Sequence, residues 1–217
     1  MESVVIIPSK DESKRIKDVI NRINKTIIDV IVVDDGSKDN TSQVAKECGA
    51  VVLRHKINLG KGIALRTGCE YAISKGYRKI VFLDADGQHS PALLNKFIKK
   101  LDSSDIVFGY RDFQGAPLIL KLGNFGLNFL IQIFYGIKVK DSQSGYRAIN
   151  SKIYDKIKWE SSGYEVESEM IINTAKQKVL NSSLLIDTIY KDKYKGTIIL
   201  DGLKIGLNLI KWKLKKR

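Results

Sequence analysis

Short runs of apolar, mostly β-branched residues that break off into acids constrain this chain most. Val4-Val5-Ile6-Ile7 ends in Pro8 and leads on to Glu12. Val30-Ile31-Val32-Val33 ends in Asp34-Asp35-Gly36-Ser37, and the run from Lys79 to Leu83 ends in Asp84-Ala85-Asp86. Apolar runs without polar alternation mark strands buried on both faces. Ala50 to Leu53 and Ile106-Val107-Phe108 read as further strands. Helical patterns fall between them: Ile16, Val19, Ile20 and Ile23, then Thr41 to Cys48, then Lys61 to Lys75 closed by Gly76. Ser90 as N-cap, with Pro91 behind it, predicts a helix over Ala92 to Leu101. Strands alternating with helices over the first 110 residues predict an α/β fold with a mostly parallel sheet and helices on both faces. Ligands in such sheets bind beyond the carboxyl ends of the strands, where the acids lie.

The charge points to an anionic partner. With 37 Lys and Arg against 24 Asp and Glu, the net charge is +13. Nucleic acid, a nucleotide or an acidic membrane surface would each fit. The basic residues are dispersed and no nucleic-acid-binding motif appears, so no nucleic-acid partner is expected. Cys48 and Cys69 are too few for a disulfide framework, which favours a reducing compartment. The opening Met1-Glu2-Ser3-Val4 lacks the basic and apolar regions of a signal peptide. No linker or repeat divides the chain, so residues 1–217 are expected to form one domain.

The second half changes character. Leu118 to Tyr135 is strongly apolar, and its exceptions Lys121, Asn124, Asn128, Gln132 and Tyr135 share one helical stripe. Residues 203–217 repeat the design, with Lys204, Asn208, Lys211 and Lys215 on one stripe. A spanning helix needs roughly 20 mainly apolar residues, and neither striped segment fits comfortably. Two readings follow from periodicity: helices packed on the core, or helices lying in a membrane surface.

Asp84-Ala85-Asp86 follows a strand, so alternate side chains bring both carboxylates to one side. With the Gln88 oxygen they form a hard-donor set suited to Mg²⁺ or Mn²⁺. The alternative is turn chemistry. His89 is either a further ligand or a solvated loop histidine. Asp34 and Asp35 either accept hydrogen bonds from a nucleoside or cap the following helix. Asn58-Leu59-Gly60-Lys61-Gly62 precedes a helix, so a phosphate-binding role is conceivable, although the P-loop pattern is absent.

These segments, in this order, resemble the family 2 glycosyltransferases of the GT-A (Rossmann-like) fold. Within them the chain is most similar to the dolichyl-phosphate mannose and dolichyl-phosphate glucose synthases. Asp141-Ser142-Gln143-Ser144-Gly145-Tyr146-Arg147 looks like that subgroup's D-x-x-S-G-[FY]-R segment, and Gly163-Tyr164-Glu165-Val166-Glu167 like its later acidic loop. The resemblance implies a nucleotide-sugar-binding half over 1–110 and an acceptor-binding half over 111–217. Pro8, Glu12 and Asp35 are then expected at the nucleoside, with Asp34 beside them. Lys61 is expected at the substrate, and Asp84, Asp86 and Gln88 at the metal and donor diphosphate. Arg111, Lys121 and Arg147 are expected at phosphates of donor or acceptor, with Asp141, Ser144 and Lys191 also substrate-binding. Asp86, Arg111 and Arg147 would carry catalysis.

The implied reaction is inverting, metal-dependent transfer of a hexose from a GDP-mannose or UDP-glucose type donor to dolichyl or polyprenyl monophosphate. Transfer to a sugar or polysaccharide hydroxyl is the alternative, with Glu165 or Glu167 as base. The resemblance also turns the two amphipathic segments into a docking platform for an anionic membrane surface. The expected location is cytoplasmic and peripheral, on the inner face of the membrane.

Overall fold

The computed structural model describes residues 2–23, 28–114, 116–187 and 199–214. In chain order they form β1 (Ser3–Ser9), α1 (Ser13–Asn21), β2 (Asp29–Asp34), α2 (Thr41–Glu47), β3 (Val51–Arg54), α3 (Lys61–Ser74), β4 (Lys79–Phe82), α4 (Leu94–Lys100), β5 (Ile106–Arg111), α5 (Leu118–Tyr135), β6 (Arg147–Asn150), α6 (Tyr154–Ile157), α7 (Val166–Lys176), β7 (Asn181–Ile186) and α8 (Ile199–Leu214). The helix foreseen from Ala92 begins as a 3-10 turn over Pro91–Leu93, with Ser90 Oγ accepting from the Ala92 N–H, and turns α-helical only at Leu94. The C-terminal helix starts at Ile199 rather than at residue 203, and residues 215–217 lie outside the described residues.

The strands pair in the order β3-β2-β1-β4-β6-β5-β7. Strand β6 runs antiparallel to both β4 and β5, and the other pairs are parallel. The period of two sorts the apolar runs onto two faces. Val4, Ile6, Ile31 and Phe82 pack with Ala64, Leu65 and Cys69 of α3 on one face. Val5, Ile7, Val32 and Val81 pack with Ile16 and Ile20 of α1 and Phe97 of α4 on the other. Both faces are covered, which is why the runs carry no polar alternation. Strands β2 and β3 lie on one side of β1 and β4 on the other. The winding therefore reverses between β1 and β4, and a crevice opens at their carboxyl ends.

Helix α5 divides its surface in a way that neither periodicity reading anticipated alone. Asn124, Leu127 and Ile131 turn inward, while Leu118, Leu122, Phe125, Phe129 and Ile133 form an exposed apolar ridge. The polar stripe is also split. Asn128 faces the segment before β6, donating to Lys140 O at 2.9 Å and accepting from the Ser142 N–H at 2.9 Å. The Tyr135 hydroxyl donates to Leu209 O of α8 at 2.8 Å, whereas Lys121 and Gln132 are exposed. By length and composition α5 reaches what a membrane crossing requires, contrary to the expectation from its stripe. Helix α8 buries Ile205 and Leu209 and exposes Leu207, Ile210 and Leu214.

Candidate active site

The crevice is a cavity of about 450 Å³, and Pro8, Glu12, Asp35, Lys61, Asp84, Asp86, Gln88 and Arg111 all line it. Residues at or just beyond the ends of β1, β2, β4 and β5 thus meet there with Lys61 from the start of α3. Lys10, Gln143, Gly145, Tyr164 and Glu167 complete much of the wall.

At its floor Lys61 Nζ sits 2.7 Å from Asp84 Oδ1 and 2.8 Å from Glu167 Oε1. The Gly60-Lys61-Gly62 turn that carries it forms no free phosphate cradle. The Gly62 N–H donates to Ser162 O at 2.7 Å, and a Cβ on Gly60 or Gly62 would collide with the 161–162 backbone at 2.3 or 2.1 Å. The glycines let two loops touch, and that contact places the lysine. Gly145 backs the same pair: a Cβ there would lie 2.6 Å from Asp84 Oδ2 and 2.8 Å from Lys61 Nζ. Gly145→Ala is therefore expected to displace Asp84 and lower turnover about a hundredfold with little change in melting temperature. Turnover within threefold of wild type would contradict this packing.

The two carboxylates of the Asp84-Ala85-Asp86 segment differ electrically. Burial opposes ionisation of Asp84, but the Lys61 ammonium holds its carboxyl below the usual range. Burial first, and the Asp84 charge second, push the Asp86 carboxyl up. One Asp86 oxygen accepts from the Gln88 N–H at 2.9 Å. Among the described residues no three His, Cys, Asp or Glu side chains gather as a ready metal cage. The donor set nonetheless fits a hard divalent ion, because it is oxygen-only and no cationic side chain among the described residues pairs directly with its second carboxylate, Asp86. Magnesium-type sites commonly use one or two carboxylates and complete their shell with water and substrate phosphate. His89 lines the cavity with Nδ1 3.3 Å from Asp187 O, and burial pushes its pKa down, so it is neutral at pH 7.

Several expected residues hold the site without forming its wall. Asp34 is fully buried under the 34–37 turn, where Oδ1 accepts from the Ser37 N–H at 2.8 Å and Oδ2 from the Ser42 hydroxyl. Asp35 does reach the cavity, and its oxygens also tie down the next loop, accepting from the Leu59 and Gly60 N–H groups at 2.8 and 2.7 Å. Arg147 was expected at a phosphate but is 2% exposed and donates to Ser144 O, Glu167 O and Ser142 O. Its guanidinium is a backbone clamp at the start of β6, a strand paired on both sides. Asp141 is buried and grips Arg111, with Nε to Oδ2 at 2.6 Å and Nη2 to Oδ1 at 3.0 Å. Ser144 is buried beside them with its Oγ unpartnered. Lys121 stands exposed on α5 and borders neither cavity, and Lys191 lies outside the described residues. Glu165 is engaged by α8, with Lys204 Nζ at 2.7 Å from Oε1.

Sequence reasoning did not find the second cavity. It holds about 600 Å³ between α5 and α8, lined mostly by Leu, Ile, Phe and Gly. Arg111 and Gln143 line both cavities, so the apolar groove abuts the polar cleft at a guanidinium. The available signal was the apolar remainder of the two striped helices, whose mutual packing only the fold supplies.

The order of strands and the switch point between β1 and β4, with carboxylates at the end of β4, are those of a GT-A, Rossmann-like fold. A crystal structure of glucosyl-3-phosphoglycerate synthase from Mycobacterium tuberculosis, in complex with Mn²⁺, UDP and phosphoglyceric acid, shares the fold. Its TM-score is 0.78 at 18% identity, covering 98% of this chain and 78% of that one. Residues 4–158 match the family described as glycosyl transferase family 2, and the chain belongs to that family. It is 34% identical to a UDP-N-acetylglucosamine–dolichyl-phosphate N-acetylglucosaminyltransferase of Methanococcus voltae, over 98% of this chain and 96% of that protein. It is 26% identical to an undecaprenyl-phosphate mannosyltransferase of Micrococcus luteus, over 100% of this chain and 96% of that protein. The protein is a glycosyltransferase.

Proposed function

We propose that the protein transfers a sugar from a nucleoside diphosphate sugar to a polyprenyl monophosphate such as dolichyl phosphate, at a membrane surface. The observation that carries this reading is the junction of the two cavities. An apolar groove ending at Arg111 suits a lipid chain with an anionic head, and the polar cleft beyond suits a nucleotide-sugar. The relatives' acceptors agree with it, while their sugars differ.

The chemistry asks little of a base. A phosphate monoester is largely a dianion near pH 7, its second pKa being about 6, so the acceptor oxygen attacks without losing a proton. Asp84, Asp86 and Gln88 would hold Mg²⁺ or Mn²⁺, which supplies charge neutralisation for the departing diphosphate. Lys61 and Arg111 place further positive charge on the cleft wall, and preorganised charge of this kind stabilises a transition state without reorganisation. Pro8, Glu12 and Asp35 line the nucleoside end. For a hydroxyl acceptor Glu165 or Glu167 would have to act as base, yet Lys204 and Lys61 already engage them. Labelled sugar is expected to enter the organic phase with dolichyl phosphate and not with dolichol. Equal transfer to the free alcohol would overturn the phosphate reading.

The exposed ridges of α5 and α8 are the proposed docking face. Asn128 and Tyr135 tether α5 sideways to the domain, which favours a helix lying in the interface over one crossing it. Replacing Phe125 (70% exposed) and Phe129 (53% exposed) by Glu is expected to lower the fraction sedimenting with anionic vesicles at least tenfold, since each buried Phe is worth roughly 1.5–3 kcal/mol. The melting temperature should not move. Undiminished sedimentation would rule this face out as the anchor.

A further inference from the structure

Asp35 lines the polar cleft, yet most of its accepting capacity is already taken by the protein. Its Oδ1 accepts from the Leu59 N–H at 2.8 Å and lies 2.8 Å from His55 Nδ1, and its Oδ2 accepts from the Gly60 N–H at 2.7 Å. A carboxylate only accepts, so His55 Nδ1 carries the hydrogen of that contact. These donors are fixed in place. A Cβ on Gly36 would lie 2.5 Å from the Ile57 backbone, so the loop that carries Leu59 and Gly60 sits directly on the 34–37 turn. The His55 N–H donates to Asp34 O at 2.9 Å, and the far ring nitrogen, Nε2, meets Thr67 Oγ1 of α3 at 3.0 Å.

An ionised carboxylate has about four lone-pair sites, two on each oxygen. His55 and Leu59 fill Oδ1, and Gly60 takes one site on Oδ2, so among the described residues one site on Oδ2 remains. We infer that His55 is a positioning residue that sets base specificity: by filling Asp35 Oδ1 it leaves the cleft a single acceptor, which takes the lone ring N–H of uracil and not the edge of guanine. Guanine presents a ring N–H beside an exocyclic amino group, and a carboxylate matches the pair only when each oxygen takes one donor. Here the second donor would meet a filled oxygen and lose its hydrogen bond on leaving water. Uracil presents one N–H between two carbonyls and asks for one acceptor. Cytosine carries an acceptor at that ring position and would be repelled. The inference rests on the nucleotide-sugar reading above and names the base class of the donor.

The test is calorimetric binding of UDP and of GDP, with Mg²⁺ present, to wild type, His55→Leu and His55→Asn, with melting temperatures measured alongside. Wild type is expected to hold UDP roughly tenfold to a hundredfold more tightly than GDP, the value of one hydrogen bond to a charged group. His55→Leu reopens Oδ1 to a second donor, so the preference should shrink to about threefold or less. His55→Asn keeps an N–H donor close to the position of Nδ1 and should retain the preference. A role in packing alone weakens both nucleotides together and leaves their ratio unmoved in His55→Leu, and that result overturns the inference. So does equal loss of the preference in His55→Asn. Wild type that binds GDP as tightly as UDP, or more tightly, removes the inference while the nucleotide-sugar reading stands. If neither nucleotide binds, that reading itself fails and takes the inference with it.

Discussion

Asp86→Ala is expected to lower turnover about a thousandfold while leaving the protein at least as stable as wild type. The loss follows from removing a carboxylate that would hold the metal, whose charge neutralisation is worth several kcal/mol in the transition state. The stability side follows from the electrostatics of the unliganded site. Burial and the neighbouring Asp84 push the Asp86 carboxyl up. A carboxyl with a raised folded-state pKa ionises at a cost to the fold, so at pH 7 its removal relieves that cost. Kinetics and thermal melting on the same preparation check both halves. Near-wild-type turnover would refute the metal assignment, and a large drop in melting temperature would refute the electrostatic one.

The second large effect lies where the two cavities meet. Arg111→Ala is expected to abolish transfer and also to destabilise the fold by about 3–5 kcal/mol, because it strands the buried Asp141 carboxylate. Asp141 is paired to the guanidinium through two close contacts and is 2% exposed. Arg111→Ala combined with Asp141→Asn should recover most of the stability and none of the activity. A stability cycle with no coupling between the two positions would show that the pair is not the structural unit described. This double role separates Arg111 from Lys61, whose partners Asp84 and Glu167 both face the cavity.

Much of the first half was legible in the sequence, for a definite reason. Strands covered on both faces must be apolar throughout, so β1, β2 and β4 declare themselves, and their polar ends mark the site. Asp84, Asp86 and Asp35 were singled out in this way, and all three line the cavity. The second half hid more. Strand β6 is four residues long and opens on Arg147, a charge that reads as surface until its three carbonyl partners are seen. Its family motif placed it near a phosphate, while the fold uses it as a clamp. For Asp34 the structure matches the capping alternative, since the Ser37 N–H and the Ser42 hydroxyl satisfy it; in sequence such a carboxylate looks like one waiting for a ligand. The polar stripe of α5 was correctly periodic, yet periodicity does not say which side faces the domain. The groove between α5 and α8 depends on a contact between segments about 80 residues apart, which no local pattern encodes.

One measurement bears most directly on the central reading. Purified protein is incubated with dolichyl phosphate and each of GDP-mannose, UDP-glucose and UDP-N-acetylglucosamine, the sugar labelled, with Mg²⁺ or Mn²⁺ present and again with a chelator. The account predicts label in the organic phase with at least one donor, abolished by the chelator and restored by excess metal. Absence of lipid-linked label with every donor, or transfer indifferent to the chelator, would contradict it.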